Sequence, residues 1–157
     1  MKIRLGKIED IEQIDIVYQE GVIDEVKLQF PNKPIKEIIK DLNKNEKERL
    51  LGIKNEINSK LNFWIVVENN KEIIAFGQAE INKENKENGM IQKVYVLKEY
   101  RKKGIASKIM KRLIDWLRKQ KIKYVSAGIF IKNIPSINMN KKFGFKVIAV
   151  RMQKILK

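Results

Sequence analysis

The sequence predicts a mixed α/β fold: a mostly antiparallel twisted sheet flanked by helices. Three features predict it. Near residue 61 the apolar spacing changes from helical to strand-like. Two strand-like runs then flank the polar segment Glu68-Asn69-Asn70-Lys71, which reads as a hairpin turn. Finally a strand, a basic loop containing glycine, an amphipathic helix and another strand follow in succession, the pattern of a crossover connection. An antiparallel hairpin joined to such a crossover makes a mixed sheet covered by helices.

Ile3-Arg4-Leu5 alternates and opens the sheet, and Gly6 ends it. From Ile8 to Tyr18 the apolar residues mostly follow helical spacing, with Glu9, Asp10 and Glu12 in the first turn, where the helix dipole favours carboxylates. A second, weaker helix is predicted from Val22 to Leu28, stopped by Phe30-Pro31. Pro34 to Lys60 reads as one long charged helical region with a break at Gly52. Phe63 to Val67 is a strand by its β-branched and aromatic content, and Ile73 to Ile81 is the returning arm. Met90 to Leu97 is a third strand, followed after the basic loop by a strong amphipathic helix from Ile105 to about Gln120. Tyr124 to Ile131 is predicted as a strand and Pro135 to Lys142 as a short helix capped by Asn133. Phe145 to Ile155 is predicted as the last strand. No repeat or long linker divides the chain, so residues 1–157 are expected to be one domain.

Composition removes whole classes of chemistry. The 157 residues include no cysteine and no histidine, which excludes disulfides, thiolate nucleophiles, histidine bases and most zinc sites. No metal is expected. Without an apolar run of about 18–20 residues or a signal-like start, no membrane association is expected and the location is read as cytoplasmic. The formal charge of +15 is unevenly spread. Residues 1–30 carry a net −3, whereas residues 98–123 carry a net +9. Nucleic acid is not expected as the partner, because only Tyr100 interleaves the basic run and most of its lysines form the solvated side of an amphipathic helix.

The segment richest in chemistry is Arg101-Lys102-Lys103-Gly104-Ile105-Ala106, between a strand and a helix. Helix N-termini present orphan N–H groups and partial positive charge to phosphates. Gly104 and Ala106 keep bulk away from those donors, while three basic side chains add charge.

This Arg-x-x-Gly-x-Ala loop resembles the acetyl-CoA loop of the GNAT superfamily of N-acetyltransferases. The segment Asn133 to Phe145 is similar to that family's Asn-x-x-Ala-x-x-x-Tyr-x-x-x-Gly-Phe stretch, and Ile3 to Ile14 resembles its opening. The resemblance implies a GNAT-like sheet with the order β-α-α-β-β-β-α-β-α-β and acetyl-CoA as cosubstrate. It implies that backbone groups of Val94, Tyr95 and Val96 bind the pantetheine arm, that Arg101, Lys102, Lys103, Gly104, Ile105, Ala106 and Ser107 hold the pyrophosphate, and that Asn133 and Asn140 contact the cofactor.

Two departures touch the chemistry. The family's usual acid, a tyrosine, is replaced by Asn140, and its usual base, a glutamate, by Gln92. Neither amide titrates usefully. Glu80, Tyr95 and Tyr124 are the substitute candidates. With no cysteine, direct attack by an amine in a ternary complex is expected. The acidic start of the chain lies where the family walls its acceptor, which favours a cationic small molecule or polyamine. Two other readings stay open: a protein N-terminal or lysine acetyltransferase, and a CoA- or nucleic-acid-binding regulatory module without efficient catalysis. The charged stretch Pro34 to Lys60 is read as a lid or as a homodimer surface.

Overall fold

The computed structural model describes residues 1–150, Met152 and Lys154. Five strands form one sheet in the order β1-β2-β3-β4-β5. They are β1 (Lys2–Leu5), β2 (Asn62–Asn69), β3 (Glu72–Ile81), β4 (Asn88–Val96) and β5 (Tyr124–Ala127). The first four pair antiparallel, and β5 joins β4 in parallel. The β2–β3 hairpin turns on Asn70 and Lys71, both at positive φ (49° and 69°), the pairing demanded by a two-residue turn that matches strand twist.

The helical region between β1 and β2 differs from the sequence expectation. A single helix α1 (Ile11–Gln29) replaces the two predicted there, because no residue within it breaks the backbone ladder. The stretch from residue 34 to 60 divides at Asn45 into α2 (Ile35–Lys44) and α3 (Glu46–Ile57), so Gly52 lies inside a helix and does not end one. Two arginines hold this layer, Arg49 in a buried ion pair and Arg4 in half-buried ones. Arg49 of α3 is bonded to both Asp15 oxygens (2.5 and 3.0 Å) and to the Leu42 carbonyl (2.7 Å), tying three helices together. Arg4 of β1 grips Asp10 through two bonds of 2.7 and 2.8 Å and Glu68 through a third.

The opposite face is covered by α4 (Ile105–Lys119), whose Ile105, Ile109, Met110, Leu113 and Leu117 are buried against the sheet. Its close approach is enabled by Gly77, where a Cβ would come within 2.2 Å of Ile109. Trp64 is in the core, and Trp116 stacks on Phe63 with ring centres 4.9 Å apart, so both tryptophans pack as expected. The last helix, α5 (Ile134–Lys142), follows β5.

Two sequence expectations near the end are corrected. The strand starting at Tyr124 stops at Ala127 and does not continue to Ile131. Residues 145–150 form no strand, and Ile155 lies outside the described residues. The physical reason is a missing partner: β5 is four residues long, and only Phe145 of this segment packs against the core. Among the described residues no helix is long and apolar enough to cross a membrane.

Candidate functional site

The site is built where β4 loses its neighbour. β4 and β5 pair only from Asn88↔Tyr124 to Ile91↔Ala127, so among the described residues the rest of β4, Gln92 to Val96, has no strand on that side. An open edge there presents backbone donors and acceptors to an extended ligand. The β3–β4 ladder also slips: Gln78 faces Lys93 while Ala79 faces Ile91, leaving Gln92 as the extra residue of a β-bulge. The bulge sends the neighbours Gln92 and Lys93 to the same face, toward α1 and α3. Gln92 Nε2 donates to Glu80 Oε1 (2.6 Å), and Lys93 Nζ donates to Gln78 Oε1 (3.2 Å).

At the end of β4 the chain enters the basic loop. Gly104 adopts φ 75°, and a Cβ there would meet nothing within 4 Å, so the mouth is open. The backbone N–H groups from Lys102 to Ser107 find no acceptor among the described residues, and no carboxylate stands in the first turn of α4. This is a concave set of donors at the positive end of a helix, suited to a pyrophosphate. Lys102 and Lys103 are exposed at the rim, with Lys103 Nζ 5.1 Å from the Tyr100 ring centre.

Arg101 behaves otherwise. Its guanidinium turns toward α1, bonding Asp24 (2.5 Å) and Glu20 (3.4 Å), while its Nε donates to the Val96 carbonyl (2.8 Å). It clamps α1 to the end of β4 and occupies a carbonyl expected to serve the pantetheine arm. Asn133 spends its side-chain oxygen capping α5 at Ser136 N (3.2 Å). Together with Asp24, Glu25, Lys27, Leu28, Lys98 and Arg101 it lines a cleft of about 460 Å³. Asn140 is buried; its Nδ2 bonds the Ser136 carbonyl, and its Oδ1 has no partner among the described residues. The atom left over accepts and does not donate.

The three candidate proton carriers fall in different places. Glu80 stands beside Gln92 at the bulge. Tyr95 points to α1, where its Oη donates to Glu25 Oε2 (2.8 Å), and burial and the Glu25 charge hold the phenol well above its ordinary range. Tyr124 is 68% exposed and sits opposite Asn88, at the closed end of the β4–β5 pair. It is not brought to the opening.

A second group was not visible in the sequence. Gln78, 1% exposed, bonds Glu56 of α3 and Asn62, while Lys93 lies 5.6 Å from the Tyr18 and Trp64 ring centres. Burial pushes the Lys93 ammonium down, opposed by Glu56 and Glu80; burial pushes Glu56 up, opposed by Lys93. Glu25 is also raised by burial, with the Tyr95 bond opposing. Only the alternation of polar residues in β3 hinted at a polar cluster beneath α1 and α3. Among the described residues no group of three or more possible ligands gathers to hold a metal.

The sequence profile of the acetyltransferase (GNAT) family matches residues 27–145. The chain belongs to this family of acetyltransferases. No curated protein sequence matches it significantly. Among solved structures it resembles the PaiA N-acetyltransferase of Thermoplasma acidophilum in complex with coenzyme A, at 21% identity and TM-score 0.79, over 96% of this chain and 92% of that one. A predicted acetyltransferase of Clostridium acetobutylicum with acetyl-CoA is similar at 21% identity and TM-score 0.73, over 98% and 95% of the two chains. The aminoglycoside 6'-N-acetyltransferase AAC(6')-Ig of Acinetobacter haemolyticus is similar at 14% identity and TM-score 0.69, over the whole of both chains. At these identities the likeness is one of fold, and it agrees with the GNAT architecture of the sheet.

Proposed function

We propose that this GNAT acetyltransferase uses acetyl-CoA to acetylate a primary amine by direct attack, with residues 1–157 acting as one catalytic domain. The observation that carries the reading is the open edge of β4 from Gln92 to Val96, continuous with the unpaired N–H groups that begin α4. Pantetheine would lie along that edge as an added strand, with its pyrophosphate on Lys102 to Ser107. Val94 and Tyr95 would supply the backbone contacts, since the Val96 carbonyl is taken by Arg101. A backbone N–H on this edge would polarise the thioester carbonyl, and orientation of the two reactants can contribute on the order of 7 kcal/mol.

The acceptor is a cationic amine in this reading. Glu25, Glu56 and Glu80 all stand on the α1 and α3 side of β4, where the acceptor would approach. Polyamines, aminoglycosides and lysine-containing peptides therefore form the screening panel, with free CoA as the readout. For the cofactor, acetyl-CoA at about 100 times its Kd stabilises by about 2.7 kcal/mol, or about 5–11 °C in Tm for a domain of this size. Gly104→Glu, which places a carboxylate in the phosphate mouth, should abolish that rise. No Tm shift in the wild type at millimolar acetyl-CoA would overturn the reading.

A further inference from the structure

We propose that the Glu25 carboxylate, in the cleft between α1 and the loop opening α4, takes the proton from the attacking amine. The inference rests on the N-acetyltransferase reading and supplies the proton acceptor that Gln92 cannot be. Four observations support it.

The first is place. Glu25 lines one cleft with Arg101, whose Nε holds the Val96 carbonyl at the end of the open β4 edge, and with Asn133, which the resemblance assigns to the cofactor. The second is attachment to β4. Tyr95, next to Val94, fixes one oxygen of Glu25 at 2.8 Å, and the Tyr95 ring is itself held by Tyr18 and Phe76 at 5.9 and 5.6 Å. Gly21 admits that ring against α1: a Cβ there would lie 2.3 Å from it. The carboxylate is therefore registered to the strand along which the thioester would lie. The third is availability. Glu25 Oε1 accepts no hydrogen bond among the described residues, and no cation pairs with Glu25, whereas the neighbouring Asp24 and Glu20 are bound by Arg101.

The fourth is chemistry. Burial raises Glu25 above its ordinary value, with the Tyr95 bond opposing, which makes it a stronger base, the direction that favours general-base catalysis. The other charged or titratable groups facing it are Tyr18, Asp24 and Lys27 on α1, Tyr95 on β4, and Lys98 and Arg101 on the loop. Glu80 likewise has one oxygen bound, by the Gln92 amide, but it stands at the bulge and does not line the cleft that holds Glu25.

The step balances without another reactant. The amine lone pair forms the C–N bond, the C–S pair leaves with sulfur, and the N–H proton moves to Glu25. From there it passes through water to the thiolate, giving amide and CoA thiol.

The test is the pH profile of kcat/KM for CoA release, with acetyl-CoA and 1,4-diaminobutane as probes and the wider amine panel behind them. Glu25→Gln should lower the rate about 10²–10⁴-fold and remove the limb in which activity rises with pH. It should leave the Tm rise with acetyl-CoA intact. Tyr95→Phe removes the bond that lowers Glu25, so it should keep that limb and move it to higher pH. A Glu25→Gln enzyme within a few-fold of wild type, or loss of the limb in Glu80→Gln instead, would overturn the assignment of Glu25 alone. A wild type that releases CoA with no amine overturns the N-acetyltransferase reading along with it.

Discussion

Replacing Gly21 by alanine should destabilise this protein although it improves the intrinsic propensity of a helix, and the same substitution at Gly52 should do the reverse. Both glycines lie inside helices, α1 and α3. A Cβ at Gly21 would stand 2.3 Å from Tyr95 Cδ1 and 2.7 Å from two more ring carbons. Ordinary carbon contacts are about 3.5–4.0 Å, so α1 and β4 must part by about 1.2 Å or more. The ring has no easy retreat, being held between Tyr18 and Phe76 with its hydroxyl on Glu25. Overpacking of this kind costs about 1–3 kcal/mol, against a helix-propensity gain of about 0.8–1.0 kcal/mol. The net is a loss of up to about 2 kcal/mol, read as a Tm lowered by about 2–4 °C per kcal/mol. Displacement of about 1 Å at the reacting centre can cost about 10²-fold in rate, so kcat should fall far more than stability. At Gly52 a Cβ meets nothing within 4 Å, and Gly52→Ala should stabilise by about 0.5–1 kcal/mol with activity unchanged. Thermal unfolding and CoA-release assays on the two variants decide the matter. A Gly21→Ala protein as stable and as active as wild type would refute the close approach of α1 to β4.

Three more outcomes follow from the same contacts. Arg49→Leu strands the buried Asp15 carboxylate and should cost about 3–5 kcal/mol in denaturant unfolding, whereas the double change Asp15→Leu with Arg49→Leu should recover much of it. Arg4 holds the Asp10 carboxyl below its ordinary value, so the pair's stabilisation is present above pH 3.8 and is lost as pH falls through the lower folded value. The Tm gap between wild type and Asp10→Asn should therefore be constant near neutrality and close in acid. Asn140→Leu removes a buried acceptor that has no donor among the described residues, along with one hydrogen bond. Those effects offset to within about 1 kcal/mol of wild-type stability, while a drop in the Tm rise with acetyl-CoA would show that the Asn140 oxygen meets the cofactor.

Local physics made much of the site legible in the sequence. A glycine preceded by basic residues and followed by an amphipathic stripe marks a helix start without acidic side chains, and Gly104 to Ser107 form such an open N-terminus. The hairpin turn at Asn70-Lys71 and the cap by Asn133 are likewise decided within a few residues. Boundaries set by competition between neighbours were less legible: the break at Asn45 and the end of β5 at Ala127 depend on partners far along the chain.

Sequence alone thus determined the family, the open basic loop that begins α4 and the absence of a titratable group at positions 92 and 140. The tertiary structure decided what the charged residues do. Arg101 sits in the basic loop before α4, but carboxylates 77 and 81 positions away on α1 draw its guanidinium to the other side. Glu25 looks like one more acid on a solvated helix until Gly21 lets that helix touch Tyr95. Electrostatics and burial depend on distance in space, and no spacing along the chain encodes that distance.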